Sequence, residues 1–397
     1  MEELYLDNAA TTPCDPRVIE VMMPLFAEDF ANPHSTTHAP GERAAKAVET
    51  ARAGIAALIG ADPREIIFTS GATEANNLAI KGAARYRARH GDGRKRIVTV
   101  ATEHKCVLES VRDLASEGFD PVILPVDRNG RLNPDHLREA VSVPTALVSI
   151  MAANNETGVL HDLPVLSRIA RDGGALLHSD LAQAAGKTAL DVRALDLDLA
   201  SVSAHKMYGP KGVGALFVRR RPRIRLEPLF SGGGQERGLR SGTLPAALIA
   251  GFGCAARIAT RQGEADARHL AHLAEALCNS LHARQVAFSI NAKDAPRLPG
   301  ILSLRLPGVP PLALMEQVPE LALSVGSACS SADLAPSYVL TAMGLSPEEA
   351  AESLRLSPGR FTTPASITRA ADLIACAAQQ VRGAGPAWNR SRSDARI

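Results

Sequence analysis

The sequence predicts an α/β fold, a mainly parallel sheet covered by helices with a smaller second part attached, and three observations carry that reading. Between about residue 60 and residue 220, short apolar β-branched runs alternate with longer helical patterns, the signature of strand–helix–strand units. After a long helical pattern, about 246–281, the character changes to shorter strands such as 301–304, with Pro-rich connections and a closing helix near 367–381. The 397 residues are 46% hydrophobic and 22% charged, which provides for one large core and a lesser one.

Taken in order, the candidate strands of the first part are 65–68, 97–100, 146–150, 175–178, 199–202 and 214–218, with turn signals between them. The last dozen residues, 386–397, are polar, rich in Arg and Ser and without periodicity, so they are expected to be mobile. No internal repeat is present.

Charge narrows the function classes. With 44 basic against 42 acidic residues the net charge is +2, too balanced to draw nucleic acid or an anionic membrane. The start, Met1-Glu2-Glu3 followed by Leu4-Tyr5-Leu6, has neither the basic nor the apolar region of a signal peptide. No apolar run reaches the roughly 18 residues of a membrane span. A soluble, cytoplasmic protein is expected. The six cysteines, at 14, 106, 254, 278, 329 and 376, form no CxxC pair and no dense disulfide spacing.

The strongest chemical signal is Ser203-Ala204-His205-Lys206-Met207-Tyr208-Gly209-Pro210, which follows an apolar strand and opens into a Gly/Pro turn. A lysine there sits at a strand's carboxyl end, where open α/β sheets bind ligands; the alternative is a solvated surface lysine. One strand earlier, the run 176–179 ends in the carboxylate of Asp180, which is either a helix N-cap or a ligand group. If the two strands are parallel neighbours, Lys206 and Asp180 face one crevice. Pyridoxal 5′-phosphate (PLP) chemistry needs that pair, a lysine for the Schiff base and a carboxylate to keep the pyridine nitrogen protonated. A third element, Thr69-Ser70-Gly71-Ala72-Thr73-Glu74-Ala75-Asn76, is a strand end that opens a helix. Its backbone N–H groups suit a phosphate, although Thr73 and Asn76 could equally be plain helix-start chemistry.

With these motifs in order, together with Tyr5-Leu6-Asp7-Asn8-Ala9-Ala10-Thr11-Thr12-Pro13, Asn154-Asn155-Glu156-Thr157-Gly158, Arg237-Gly238-Leu239-Arg240-Ser241-Gly242-Thr243, Ser327-Ala328-Cys329-Ser330-Ser331 and Gly359-Arg360-Phe361, the chain resembles the cysteine desulfurases that feed iron–sulfur cluster assembly. These belong to the fold-type-I PLP enzymes related to class-V aminotransferases. The resemblance covers nearly the whole chain. It implies a large PLP domain at 15–258 with a mainly parallel seven-stranded sheet, and a small α+β domain formed by 1–14 and 259–385.

Residue by residue, the resemblance makes Lys206 the Schiff-base lysine, Asp180 the partner of the pyridine nitrogen and Gln183 a donor to the ring oxygen. It sets His104 against the ring as a stacking and proton-shuttling group, where the bare sequence would read an ordinary polar histidine. Ala72, Thr73, Ser203 and His205 of one subunit and Thr243 of the other would hold the phosphate, which implies a homodimer with shared sites. Arg355, helped by Asn155, would take the carboxylate of L-cysteine, the geometry a guanidinium fork suits; the alternative is a structural ion pair. Cys329 lies among Gly, Ser and Ala with no apolar packing, which favours a reactive thiol on a mobile loop over a core filler. It would accept the substrate sulfur as a persulfide and pass it to an acceptor protein such as an iron–sulfur scaffold. The best-known cluster-assembly members carry a longer C-terminal extension for that scaffold, so the resemblance leaves the acceptor open. Two rivals remain, a β-eliminating or selenocysteine lyase with the same cofactor site, and an assembly scaffold with a vestigial one.

Overall fold

The computed structural model describes residues 3–91, 93–326 and 336–384. Among them, twelve strands are defined: β1 (Leu4–Tyr5), β2 (Ile66–Thr69), β3 (Arg96–Val100), β4 (Asp120–Leu124), β5 (Thr145–Ser149), β6 (Leu176–Asp180), β7 (Leu199–Ser203), β8 (Gly214–Val218), β9 (Ser289–Ile290), β10 (Leu302–Arg305), β11 (Leu321–Ala322) and β12 (Ser353–Leu356).

Seven of them form the central sheet in the order β2-β8-β7-β6-β5-β3-β4. Helices cover both faces, so β5, β7 and β8 are buried along their whole length, as strands of a doubly covered sheet must be. The pairs β7–β6, β6–β5, β5–β3 and β3–β4 are parallel, whereas β8 runs antiparallel to both β7 and β2. A parallel return needs a crossover of a dozen or more residues; only residues 204–213 join β7 to β8, so the chain turns back. This turn carries Lys206.

The mainly parallel seven-stranded sheet matches the expected fold class, with local differences. The edge strand β4 is absent from the sequence reading, because Asp120-Pro121 precedes only three apolar residues, 122–124. The strand expected at 175–178 extends to Asp180, so the carboxylate ends the strand itself.

The helix Ala39–Leu58 packs along the first half of the long helix Ala246–Ala283. They approach so closely that a Cβ at Gly253 would lie 2.3 Å from the Ala51 Cα. The second half of the long helix turns Leu273, Leu277 and Leu281, spaced i, i+4, i+8 on one face, into a separate apolar cluster with β10, β12 and the helix Pro364–Ala384. In that part β10 pairs antiparallel with β9 and β12, and β1 pairs with β11. No helix among the described residues is long and apolar enough to cross a membrane.

Candidate active site

Because β8 is the one reversed strand, the carboxyl ends of β2, β3, β5, β6 and β7 and the amino end of β8 meet at a single edge of the sheet. A cavity of about 420 Å³ opens there, within the range of small-ligand sites. Ala72, Thr73, His104, Asn155, Asp180, Gln183, Ser203, His205, Lys206 and Arg355 all line it. Residues as far apart in sequence as Ala72 and Arg355 are thus brought together by topology alone.

The strand β6 lies beside β7 in parallel register, Asp180 opposite Ser201, which places Asp180 and the Lys206 turn side by side. Asp180 is buried; one carboxylate oxygen accepts the Ala182 N–H at 2.8 Å, and the other accepts the Asn76 amide at 2.7 Å. Each carboxylate oxygen can accept twice, so capacity remains for a ring N–H. At the end of β3 the chain turns through His104, which caps the helix Lys105–Asp113: its Nδ1 accepts the Cys106 backbone N–H at 3.2 Å. A nitrogen that accepts has no proton of its own, so the neutral ring carries its hydrogen on Nε2. Burial lowers the His104 pKa and Lys206 adds to this, against the opposing pull of Asp180.

Gln183 donates its amide to the Ala9 carbonyl at 2.7 Å while its oxygen accepts from Lys187 Nζ at 2.8 Å. This pairing fixes which end of the amide is the donor. The N-terminal segment closes one wall. Thr12 bonds to the His205 carbonyl, and Asp7 forms an ion pair with Arg355 at 2.6 Å. Arg355 also donates to the Asn155 carbonyl at 2.8 Å. Arg355 thus forms an ion pair and also lines the cavity.

At the opposite rim the helix Ala72–His90 begins at Gly71, with no side chain capping its first N–H groups. A Cβ at Gly214 would lie 2.7 Å from the Gly71 backbone, so only glycine lets the start of β8 approach this turn. His205 is brought down to about pH 4, first by burial and then by Lys206, Lys211 and Lys187. Three polar atoms of the cavity residues, Ser203 Oγ, Asn155 Oδ1 and Arg355 Nε, are buried without a hydrogen-bond partner among the described residues. Buried polar groups are ordinarily satisfied; the Ser203 hydroxyl and the Arg355 N–H can donate to an anionic group and the Asn155 oxygen can accept from a donor, so the three fit a polar ligand that carries both, such as PLP. Thr243 is exposed and is not among the lining residues, and Cys329 lies outside the described residues.

Residues 4–369 match the aminotransferase class-V family. A "Cysteine desulfurase IscS" of Rickettsia akari (strain Hartford) is 48% identical over 385 residues, covering 97% of this chain and 93% of that one. The chain belongs to the cysteine desulfurases. Among solved structures, a "NifS-like protein" superposes with a TM-score of 0.86 at 34% identity, over 94% of this chain and 98% of its own. A structure described as SspA in complex with cysteine gives 0.78 at 36%, over 90% and 99%. Cysteine desulfurases are PLP-dependent, and the cavity has the residues that PLP requires.

Asn76, Cys106, Asp7 and Lys187 have no site role in the sequence reading. Lys187 is half-buried and reaches Gln183 from behind the cavity; burial, with Lys206 and Arg355, lowers it to about pH 7. Burial and the Asp180 charge push the Cys106 thiol up to about 12, although Asn76 and Thr73 oppose the shift. At neutral pH Cys106 is a thiol and a poor nucleophile.

Proposed function

We propose that this chain converts L-cysteine to L-alanine and leaves the sulfur as a persulfide on Cys329. The observation that carries this reading is the meeting of Lys206 and Asp180 at the ends of adjacent parallel strands, in one cavity of a cysteine desulfurase. When bound, PLP supplies the electron sink that makes the substrate Cα proton acidic. Lys206 is the residue that anchors the cofactor and then takes that proton. Asp180 holds the proton on the pyridine nitrogen. Gln183 would donate to the ring oxygen, and His104 would hold the ring, with its Nε2–H available for proton transfer. Ala72, Thr73, Ser203 and His205 bind the phosphate, and Arg355 with Asn155 binds the substrate carboxylate.

In the net transfer the substrate C–S bond breaks and an S–S bond forms to the Cys329 sulfur, while the proton from the Cys329 thiol balances the new C–H bond of alanine. Ser324, five residues before Cys329, pairs with Arg355 through both backbone groups. Five residues span at most roughly 17 Å, so the chain can bring this thiol to the cavity.

Thr243 completes the phosphate site of a second copy, so the working unit is a homodimer with shared sites. The large and small domains divide at 15–258 against 1–14 with 259–385. The sulfur passes to an acceptor protein, for which an iron–sulfur scaffold in the cytoplasm is the proposed case. Incubating the PLP-loaded protein with L-cysteine tests the reading: alanine and one added sulfur on the Cys329 peptide are expected. Pyruvate with ammonia would mean β-elimination and overturn it.

A further inference from the structure

We infer that Asn76 is a positioning residue that joins Asp180 and His104, the two groups expected to grip the cofactor ring, into one hydrogen-bonded frame. The inference rests on the reading that PLP occupies the cavity. It adds a residue with no assigned role.

Asn76 is fully buried on the helix Ala72–His90, three residues beyond Thr73. That spacing puts both on one helix face, so the element that starts at the phosphate rim also reaches the ring floor. The single nitrogen Nδ2 serves two acceptors, Asp180 Oδ2 at 2.7 Å and Cys106 Sγ at 3.1 Å. The same sulfur lies 3.0 Å from His104 Nδ1. An unbroken chain thus runs from Asp180 through Asn76 and Cys106 to His104.

The amide orientation is set by its donors. A flipped amide would put Oδ1 against the Asp180 carboxylate, oxygen against oxygen. Oδ1 instead has no hydrogen-bond partner among the described residues. An asparagine retained only to fill space or to satisfy itself would not leave a buried carbonyl unpaired in order to face a carboxylate. The arrangement makes sense if the orientation of Asp180 is what it secures. The Cys106 thiol, in turn, can donate to His104 Nδ1 alongside its own backbone N–H, which keeps the ring hydrogen on Nε2.

The test is a double-mutant cycle read by ligand binding. Asn76→Leu, branched in the same way and without donors, should weaken binding of pyridoxal, which lacks the phosphate, about ten- to a hundredfold, the loss of a hydrogen bond to a charged group. In an Asp180→Asn background the same change should cost under about threefold, because residues acting as a unit are not additive. Inorganic phosphate, which probes only the rim, should bind within about twofold of wild type. In cofactor-free protein, ¹⁵N NMR of the imidazole should show the Nδ1–H tautomer of His104 rising in Cys106→Ala. If Asn76→Leu does not fold, Asn76→Ser enters the same cycle with the same expected pattern.

Losses that multiply with Asp180→Asn, a parallel loss of phosphate binding, or an unchanged affinity for pyridoxal would each overturn the inference. An unmoved His104 tautomer would remove its second half. Wild-type protein that binds no PLP, or an Asp180→Asn variant with unchanged turnover, would sink the functional reading itself; that result is distinct from a failure confined to Asn76.

Discussion

The two ends of the cavity are built on opposite principles. At the floor, Asp180, Asn76, Cys106 and His104 are joined by hydrogen bonds before any ligand arrives. At the rim, Gly71, Ala72, Thr73 and Lys211 are half-buried or exposed, and the helix start has uncapped N–H groups. A floor organised in advance suits a ring whose protonation must be controlled, since fixed dipoles in a dry site need no rearrangement during reaction. An open rim suits a dianion, which brings its own charge to donors that point outward. The difference teaches that the floor should govern the grip on the ring and the chemistry done there, and the rim the affinity for the phosphate alone.

The sharpest way to break this comparison is to alter each end separately. Lys206→Ala should abolish alanine formation, by at least about 10³-fold, and remove the visible absorbance of lysine-bound PLP. Asp180→Asn should keep bound PLP yet lose turnover by about 10²-fold or more. By contrast, Thr73→Val at the rim should weaken PLP binding about tenfold and regain most turnover with excess cofactor. If the three variants behave alike in a PLP titration of activity, floor and rim do not divide the work as argued.

Two cysteines extend the contrast. Cys106 is held as a thiol in the floor, so Cys106→Ser should retain most alanine production. Cys329→Ser should lose it almost entirely, because a serine hydroxyl is a poor nucleophile toward sulfur. Peptide mass spectrometry after one turnover checks both variants. Sulfur recovered on Cys106 would show that the floor thiol is reactive after all.

A smaller effect belongs to the rim alone. Mixing inactive Lys206→Ala subunits with Thr243→Ala subunits should restore part of the activity, since one site of each hybrid is intact. Hybrids that form and remain dead would place Thr243 outside the partner's phosphate site.

How far the sequence could be read follows the same division. Asp180 and Lys206 were legible because each stands at the end of a short apolar run, and strand ends are local features. The reversal of β8 was legible in principle, since ten residues are too few for a crossover. Asn76 was not, because an asparagine in the first turn of a helix has an adequate local explanation; its real partners are 30 and 104 residues away. The place of Arg355 depends on β12 pairing with β10 and on the Asp7 contact, neither of which any local pattern encodes. Lys187 carries no local signal for the same reason.

The smallest expected effect sharpens the comparison through pH. His178 lies within the sheet between Ser149 and Ser201, and burial brings it down to about pH 4. His205 reaches a similar value at the rim with help from three lysines. In the unfolded chain both titrate near 6.5. Between pH 6.5 and 4 the unfolded state therefore binds protons that the folded state refuses, and stability falls as pH falls. The stabilising contribution is complete above about 6.5. The slope is at most about 1.4 kcal/mol per pH unit for His178 and smaller for His205, which water screens. A bound phosphate would raise the folded pKa of His205 and leave His178 untouched. Urea midpoints measured at pH 7, 6 and 5 should then show a shallower acid loss with PLP than without it, once the constant binding contribution is subtracted. That PLP-dependent flattening should vanish in His205→Gln and persist in His178→Gln. Equal flattening in wild type and His205→Gln would mean that the rim histidine does not meet the phosphate.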